Sequence, residues 1–103
     1  MKLDKKQVRQ QFRDRTFARD GYKCRVCRQD GPLDAHHILD RHDMPNGGYV
    51  PENGISLCPV CHVKAEHWHS TGTALPGYSP DELYALIGSD LDKALAASEN
   101  LCV

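Results

Sequence analysis

Between residues 4 and 19 (DKKQVRQQFRDRTFAR) the positions Val8, Phe12 and Thr16 fall four apart among charged neighbours, the spacing that keeps one face of an α-helix away from water. This predicts a short basic helix, with Gly21 placed to end it. LDAHHIL (33–39) and GISL (about 54–57) have the composition of strands. The loop between them, RHDMPNGGYVPEN, is long for a hairpin connection and so points to a role of its own. Pro59 suits a first helical position, and PVCHVKAEHWH continues without a breaker to His69. In that helix Cys61, Ala65 and Trp68 share one face, and His62, Glu66 and His69 share the neighbouring one. STGTALPGY (70–78) reads as a linker. SPDE (79–82) is a capping box, Ser79 with Glu82, opening a helix whose expected buried stripe is Leu83, Leu86 and Ile87. Gly88 and Ser89 divide it from a last helix over 90–98. No internal repeat or low-complexity segment interrupts this order.

A length of 103 residues, 40% of them hydrophobic, predicts one small domain, with no apolar stretch long enough to cross a membrane. The charged start MKLDKKQVRQ lacks the apolar region of a secretory signal. A reducing compartment is therefore expected, in which five cysteines are not a disulfide framework. The net charge of -1 conceals an asymmetry: residues 1–28 carry ten Lys and Arg against three Asp, a balance of +7, which leaves -8 on the other 75 residues. Such a run is either a solvated helix face or the electrostatic footprint of a polyanion. The acidic part, residues 65–103 with Lys93 against six acids, would be repelled by the same polyanion, and is expected to pack on the core or meet a protein.

Cys24-x2-Cys27 and Cys58-x2-Cys61, thirty residues apart, offer four thiolates in the arrangement of a tetrahedral structural zinc site built from two knuckles. Thiol redox chemistry is the weaker rival. It asks for one active pair beside a βαβ pattern, and neither condition is met. Cys102 has no partner and reads as a plain free thiol. Zinc held by four cysteines has no open position, so it accounts for none of the six histidines. For His42, His67 and His69 a structural or exposed role is the simpler reading. His36, His37 and His62 differ, because the cysteine knuckles could bring them together.

AHHI within a Cys-x2-Cys frame, followed by ENGISLCPVCH, resembles the HNH endonuclease motif of the ββα-metal nucleases, in the zinc-stapled variety of phage and bacterial proteins. The resemblance covers about residues 19–69 and runs in order through Cys24, Cys27, the His36-His37 pair, Asn53, Cys58, Cys61 and His62. It implies an α+β fold: a ββα-metal core (20–69) stapled by the four-cysteine zinc, with an N-terminal basic helix (1–19) and a linker with C-terminal helices (70–103). It also implies that His37 is the general base, that His36 and His62 are ligands of a catalytic divalent ion, and that Asn53 holds the loop and orients His37. Many relatives have aspartate at the position of His36. Histidine there leaves the site less negative and shifts preference toward Mn, Ni or Zn, with Mg possible where phosphate and water complete the shell.

The chemistry needs these parts. Phosphodiester hydrolysis requires a deprotonated water in line with the leaving oxygen, and a neutral imidazole can take that proton at neutral pH. The charge that develops requires a cation fixed beside it with open positions. Strand alternation sets His36 and His37 on opposite faces, so the strand end must twist for both to serve one site. With this reading the basic start becomes a footprint for the phosphate backbone, through Lys5, Lys6, Arg9, Arg13, Arg15, Arg19, Lys23 and Arg25, with Arg41 in the loop as a weaker candidate. Glu66 and His67 could add to the metal shell. The expected function is a metal-dependent DNA endonuclease, a phosphodiester hydrolase of the bacterial host cytoplasm. DNA is the expected partner, a phage or host protein a further candidate, and the protein a monomer or dimer. The alternative is a non-catalytic zinc-stapled module that binds DNA or acts as an adaptor, and a thiol oxidoreductase is a distant third.

Overall fold

The computed structural model describes residues 3–101; Lys2 of the basic run and the Cys102 thiol lie outside them. The order is α1 (Lys5–Arg19), β1 (Asp34–His37), three short 3-10 turns, β2 (Gly54–Leu57), α2 (Pro59–Thr71), α3 (Pro80–Leu86) and α4 (Leu91–Glu99). The α+β expectation and the two-strand, one-helix centre are both present.

Helix α1 starts as its sequence dictates. Asp4 accepts from the Gln7 amide at 2.8 Å while the Gln7 side chain accepts from the Asp4 amide at 3.0 Å, so two otherwise unpaired donors are satisfied reciprocally. Val8, Phe12 and Thr16 are its buried residues. They lie on the two-stranded antiparallel sheet, in which His36 pairs with Ile55 and His37 with Gly54.

Strand β1 ends at His37, short of the expected Leu39, because a side chain takes over the pairing. Ile38 N–H still donates to the Asn53 carbonyl at 2.9 Å. At Leu39 the amide of Asn53 substitutes for a strand, accepting from Leu39 N–H and donating to Leu39 C=O, both at 3.1 Å. Asn53 also donates to the Gly48 carbonyl at 3.2 Å and accepts from the Tyr84 hydroxyl at 2.7 Å. It is fully buried, and so closes both ends of the 40–53 loop.

The C-terminal helices hold that loop from outside. The Asn46 amide donates to Ser98 C=O at 2.9 Å, Ser98 Oγ donates to Pro45 C=O, and Ser89 Oγ donates to Glu52 C=O at 2.8 Å. Packing of the acidic part on the core was one of the two expected outcomes. The buried stripe of α3 is Leu83 and Tyr84, however, not Leu83, Leu86 and Ile87. Leu86 is exposed and Ile87 half-buried, because the Tyr84 hydroxyl has a buried acceptor in Asn53 that repays its desolvation. Helix α2 runs two residues past His69, to Gly72 in the left-handed region (φ 77°).

Two cations expected on the DNA face are used inside the fold. The Arg19 guanidinium grips buried Asp20 through Nε and Nη2, both at 2.8 Å, and donates to Pro51 C=O at 2.6 Å and Gly54 C=O at 2.7 Å. Arg25 lies 3.6 Å from Asp20 and donates to Leu86 C=O. Asp20 in turn accepts from Ser56 N–H at 2.9 Å. These arginines join α1, the loop and α3 to the edge of β2, and a phosphate would have to displace bonds already made.

Candidate active site

Cys24, Cys27, Cys58 and Cys61 place their sulfurs within 4.8 Å of one another. The 3.7 Å between Cys27 Sγ and Cys58 Sγ is close to the about 3.8 Å edge of a tetrahedron with metal–sulfur bonds of about 2.3 Å. All but Cys27 are buried. A metal of zinc's size and preference fits these four donors. Tyr78, from the linker, donates its hydroxyl to Cys61 Sγ at 3.3 Å.

The sulfur cluster fixes where α2 begins, and α2 then presents His62, Glu66 and His69 to the end of β1. A cleft of about 300 Å3 opens there, lined by Ala35, His36, His37, Asp40, Arg41, His62, Glu66 and His69. His36 points toward α2: its ring centroid is 5.2 Å from those of both His62 and His69. His37 points toward α1, stacked on Phe12 at 4.5 Å with Tyr49 edge-on at 4.7 Å. The two rings thus leave the strand on opposite sides, as alternation requires, and both reach one cleft because β1 ends at His37.

His36, His62 and Glu66 bring ligand atoms within 4.8 Å of one another. Glu66 Oε1 lies 3.3 Å from His36 Nδ1 and 3.1 Å from His62 Nε2, against about 3.0–3.4 Å between neighbouring ligands of an ion bound at about 2.1 Å. His62 Nδ1 faces Asp34 Oδ2 at 3.2 Å. With Nδ1 donating to Asp34, the His62 Nε2 lone pair turns toward the Glu66 oxygen, and a cation placed between these two acceptors would satisfy both. His36 Nδ1 is buried with no hydrogen-bond partner. These donors fit a divalent ion of borderline softness.

Both adjacent histidines are held neutral. His36 is pushed down to about 3, by burial first and then by His62, His69 and His37. His37 is pushed down to about 4 by burial, which outweighs the opposing pull of Asp40. An unfolded chain would protonate both near about 6.5. Above that pH neither state holds these protons. Between about 6.5 and 4 the unfolded state holds more, so stability falls on acidification. Denaturant melts at pH 7, 6 and 5 should show this fall, with a shallower slope for His37→Ala; a slope unchanged in that variant would refute it.

Gly54 makes room for this arrangement. Opposite His37 in the sheet, it lies so close to α1 that a Cβ would sit 2.6 Å from Phe12 Cε1 and 2.8 Å from Thr16 Oγ1. Gly54→Ala should cost about 1–3 kcal/mol by overpacking and push Phe12 off the His37 ring. A lower melting temperature is the expected outcome, and a wild-type value would refute it.

Not every expected site residue reaches the cleft. Asn53 acts on the backbone just after His37, through its bonds to Ile38 and Leu39. His42 is exposed in the loop, and His67 turns away, Nδ1 lying 2.7 Å from the Thr73 carbonyl. Glu66 joins the donor cluster, and His69, expected to be structural or exposed, lines the cleft and donates from Nε2 to the His37 carbonyl at 2.9 Å. Asp34 was not anticipated, although its place two residues before His36 in a strand puts it on the same face. Arg41 lines the cleft, while Lys5, Lys6, Arg9, Arg13 and Arg15 are exposed along α1. Lys23 lies 3.8 Å from Asp30.

No helix among the described residues is long and apolar enough to cross a membrane. No curated protein and no solved structure matches the chain. Residues 24–67, from the first cysteine to the far side of the histidine cleft, match the family described as HNH endonuclease.

Proposed function

We propose that the chain is a divalent-metal-dependent DNA endonuclease that hydrolyses phosphodiester bonds at the β1–α2 cleft. The observation that carries this reading is the convergence of a neutral histidine, His37, with the His36, His62 and Glu66 donors and the Arg41 cation around one opening. His36 and His62 would hold the ion, with Glu66 as a third donor and Asp34 fixing the His62 ring. When bound, the ion supplies positive charge beside the phosphoryl and leaving oxygens.

His37 takes a proton from the attacking water. Its Nε2 is buried without a partner, which leaves Nδ1 as the nitrogen for that transfer. Arg41 steadies a phosphate oxygen, and the exposed cations of α1 hold the backbone on either side without reading bases. Asn53 and the Phe12 ring are positioning residues. The cysteine cluster carries structural zinc.

Nicking of a supercoiled plasmid tests the reading. Cleavage should require an added divalent ion, with Mn or Ni at least as effective as Mg because two donors are imidazoles. DNA binding without cleavage by any of these ions would move the protein to the non-catalytic class.

A further inference from the structure

A second opening of about 300 Å3 lies beside the histidine cleft, lined by Lys5, Val8, Arg9, Arg41, Asn46 and Tyr49. Arg41 lines both openings, and Tyr49, which lines this one, touches the His37 ring in the other. Whatever occupies the second opening is therefore an immediate neighbour of the group being cleaved. Lys5 and Arg9 are four apart on α1 and flank it from one helix face, with the Arg9 guanidinium carbon 5.9 Å from the Tyr49 ring centre.

The lining has two halves with different demands. Three cations suit a phosphate. Tyr49, with buried Val8 behind it, offers a ring that a phosphate would not use and on which a base would stack. In a regular duplex the bases are stacked inward and only the backbone could reach this place. Filling both halves requires a nucleotide turned out of the stack.

We infer that this opening binds one unstacked nucleotide next to the scissile phosphate, so that the preferred substrate is single-stranded or locally unpaired DNA. The inference rests on the nuclease reading for which phosphate is cut, but concerns binding alone. Its phosphate would be met by Lys5, Arg9 and Arg41, and its base by Tyr49. Every base has apolar faces, so no sequence preference follows from this contact.

Affinities of the full chain for a single-stranded 12-mer, its perfect duplex and a duplex with one unpaired nucleotide would test this, without added divalent ion so that nothing is cleaved. A 2-aminopurine placed at the unpaired position reports unstacking. The single strand and the interrupted duplex should bind about tenfold tighter than the perfect duplex, with a change in 2-aminopurine fluorescence on binding. Tyr49→Leu should remove most of that preference, whereas Lys5→Ala with Arg9→Ala should weaken all three substrates alike. Equal affinities, or an equal loss on every substrate when Tyr49 is replaced, would overturn the inference. Plasmid nicking with no strand preference would leave the nuclease reading standing and this one lost; strand preference without nicking would do the reverse.

Discussion

Cys24→Ser is expected to unfold the centre of the protein, not merely to weaken it. Cys24 is fully buried, Cys58 and Cys61 nearly so, and all three belong to the same cluster as Ile38, Ile55, Leu57 and Leu83. Burial would raise the Cys24 thiol, but backbone amides of Cys27, Cys58 and Val26 draw it down to about 6, so a thiolate there is prepared for a cation. Burial instead pushes Cys61 up, and no thiolate persists there unless a metal holds it. A structural zinc can contribute on the order of 10 kcal/mol, as much as the whole net stability of a small domain at about 5–15 kcal/mol. Zinc stoichiometry with far-UV circular dichroism should show one tightly held zinc in the wild type and a metal-free, largely unfolded variant. A metal-free Cys24→Ser protein melting at the wild-type temperature would remove the cluster from any structural role.

The elements that local chemistry specifies were legible. Val8, Phe12 and Thr16 define the buried face of α1, Pro59 starts α2, and Ser79 with Glu82 caps α3, donating Oγ–H to Glu82 Oε1 at 2.8 Å. The cysteine spacing likewise anticipated the sulfur cluster. What charge and periodicity could not convey is which distant group a side chain meets. Arg19 looked like its basic neighbours until buried Asp20 and the carbonyls of Pro51 and Gly54 captured it. Tyr84 has no place in the expected stripe of Leu83, Leu86 and Ile87, yet Asn53, 31 positions away, makes it a buried residue. Likewise His69 shares a helix face with His62 and Glu66, but only the position of the His37 carbonyl, 32 residues away, brings it to the cleft. Contacts at such separations are set by how α2 and the loop dock, which no local pattern encodes.

His37→Ala is expected to abolish plasmid cleavage while leaving metal and DNA binding in place, because the proposed function puts the three roles on different side chains of the cleft. Losing a general base costs about 10²–10⁴-fold in rate. The Phe12 stack and the Tyr49 edge contact would also be lost, and aromatic pairs are worth about 0.5–1.5 kcal/mol each. A melting temperature lower by several degrees is therefore expected, and rates must be compared well below it. His36→Ala provides the contrast: it should weaken binding of the added divalent ion, which His37→Ala should not. Added imidazole offers a sharper test, since the vacated space beside Phe12 and Tyr49 is the size of the missing ring and a free base placed there can accept the same proton. Partial rescue of His37→Ala by imidazole, and none of His36→Ala, would assign proton transfer to His37. Cleavage by His37→Ala at the wild-type rate would remove the base from this residue. Neutral His36 would not be its natural successor, since its buried Nδ1 faces Glu66 at 3.3 Å, in a place that suits a cation better than an attacking water.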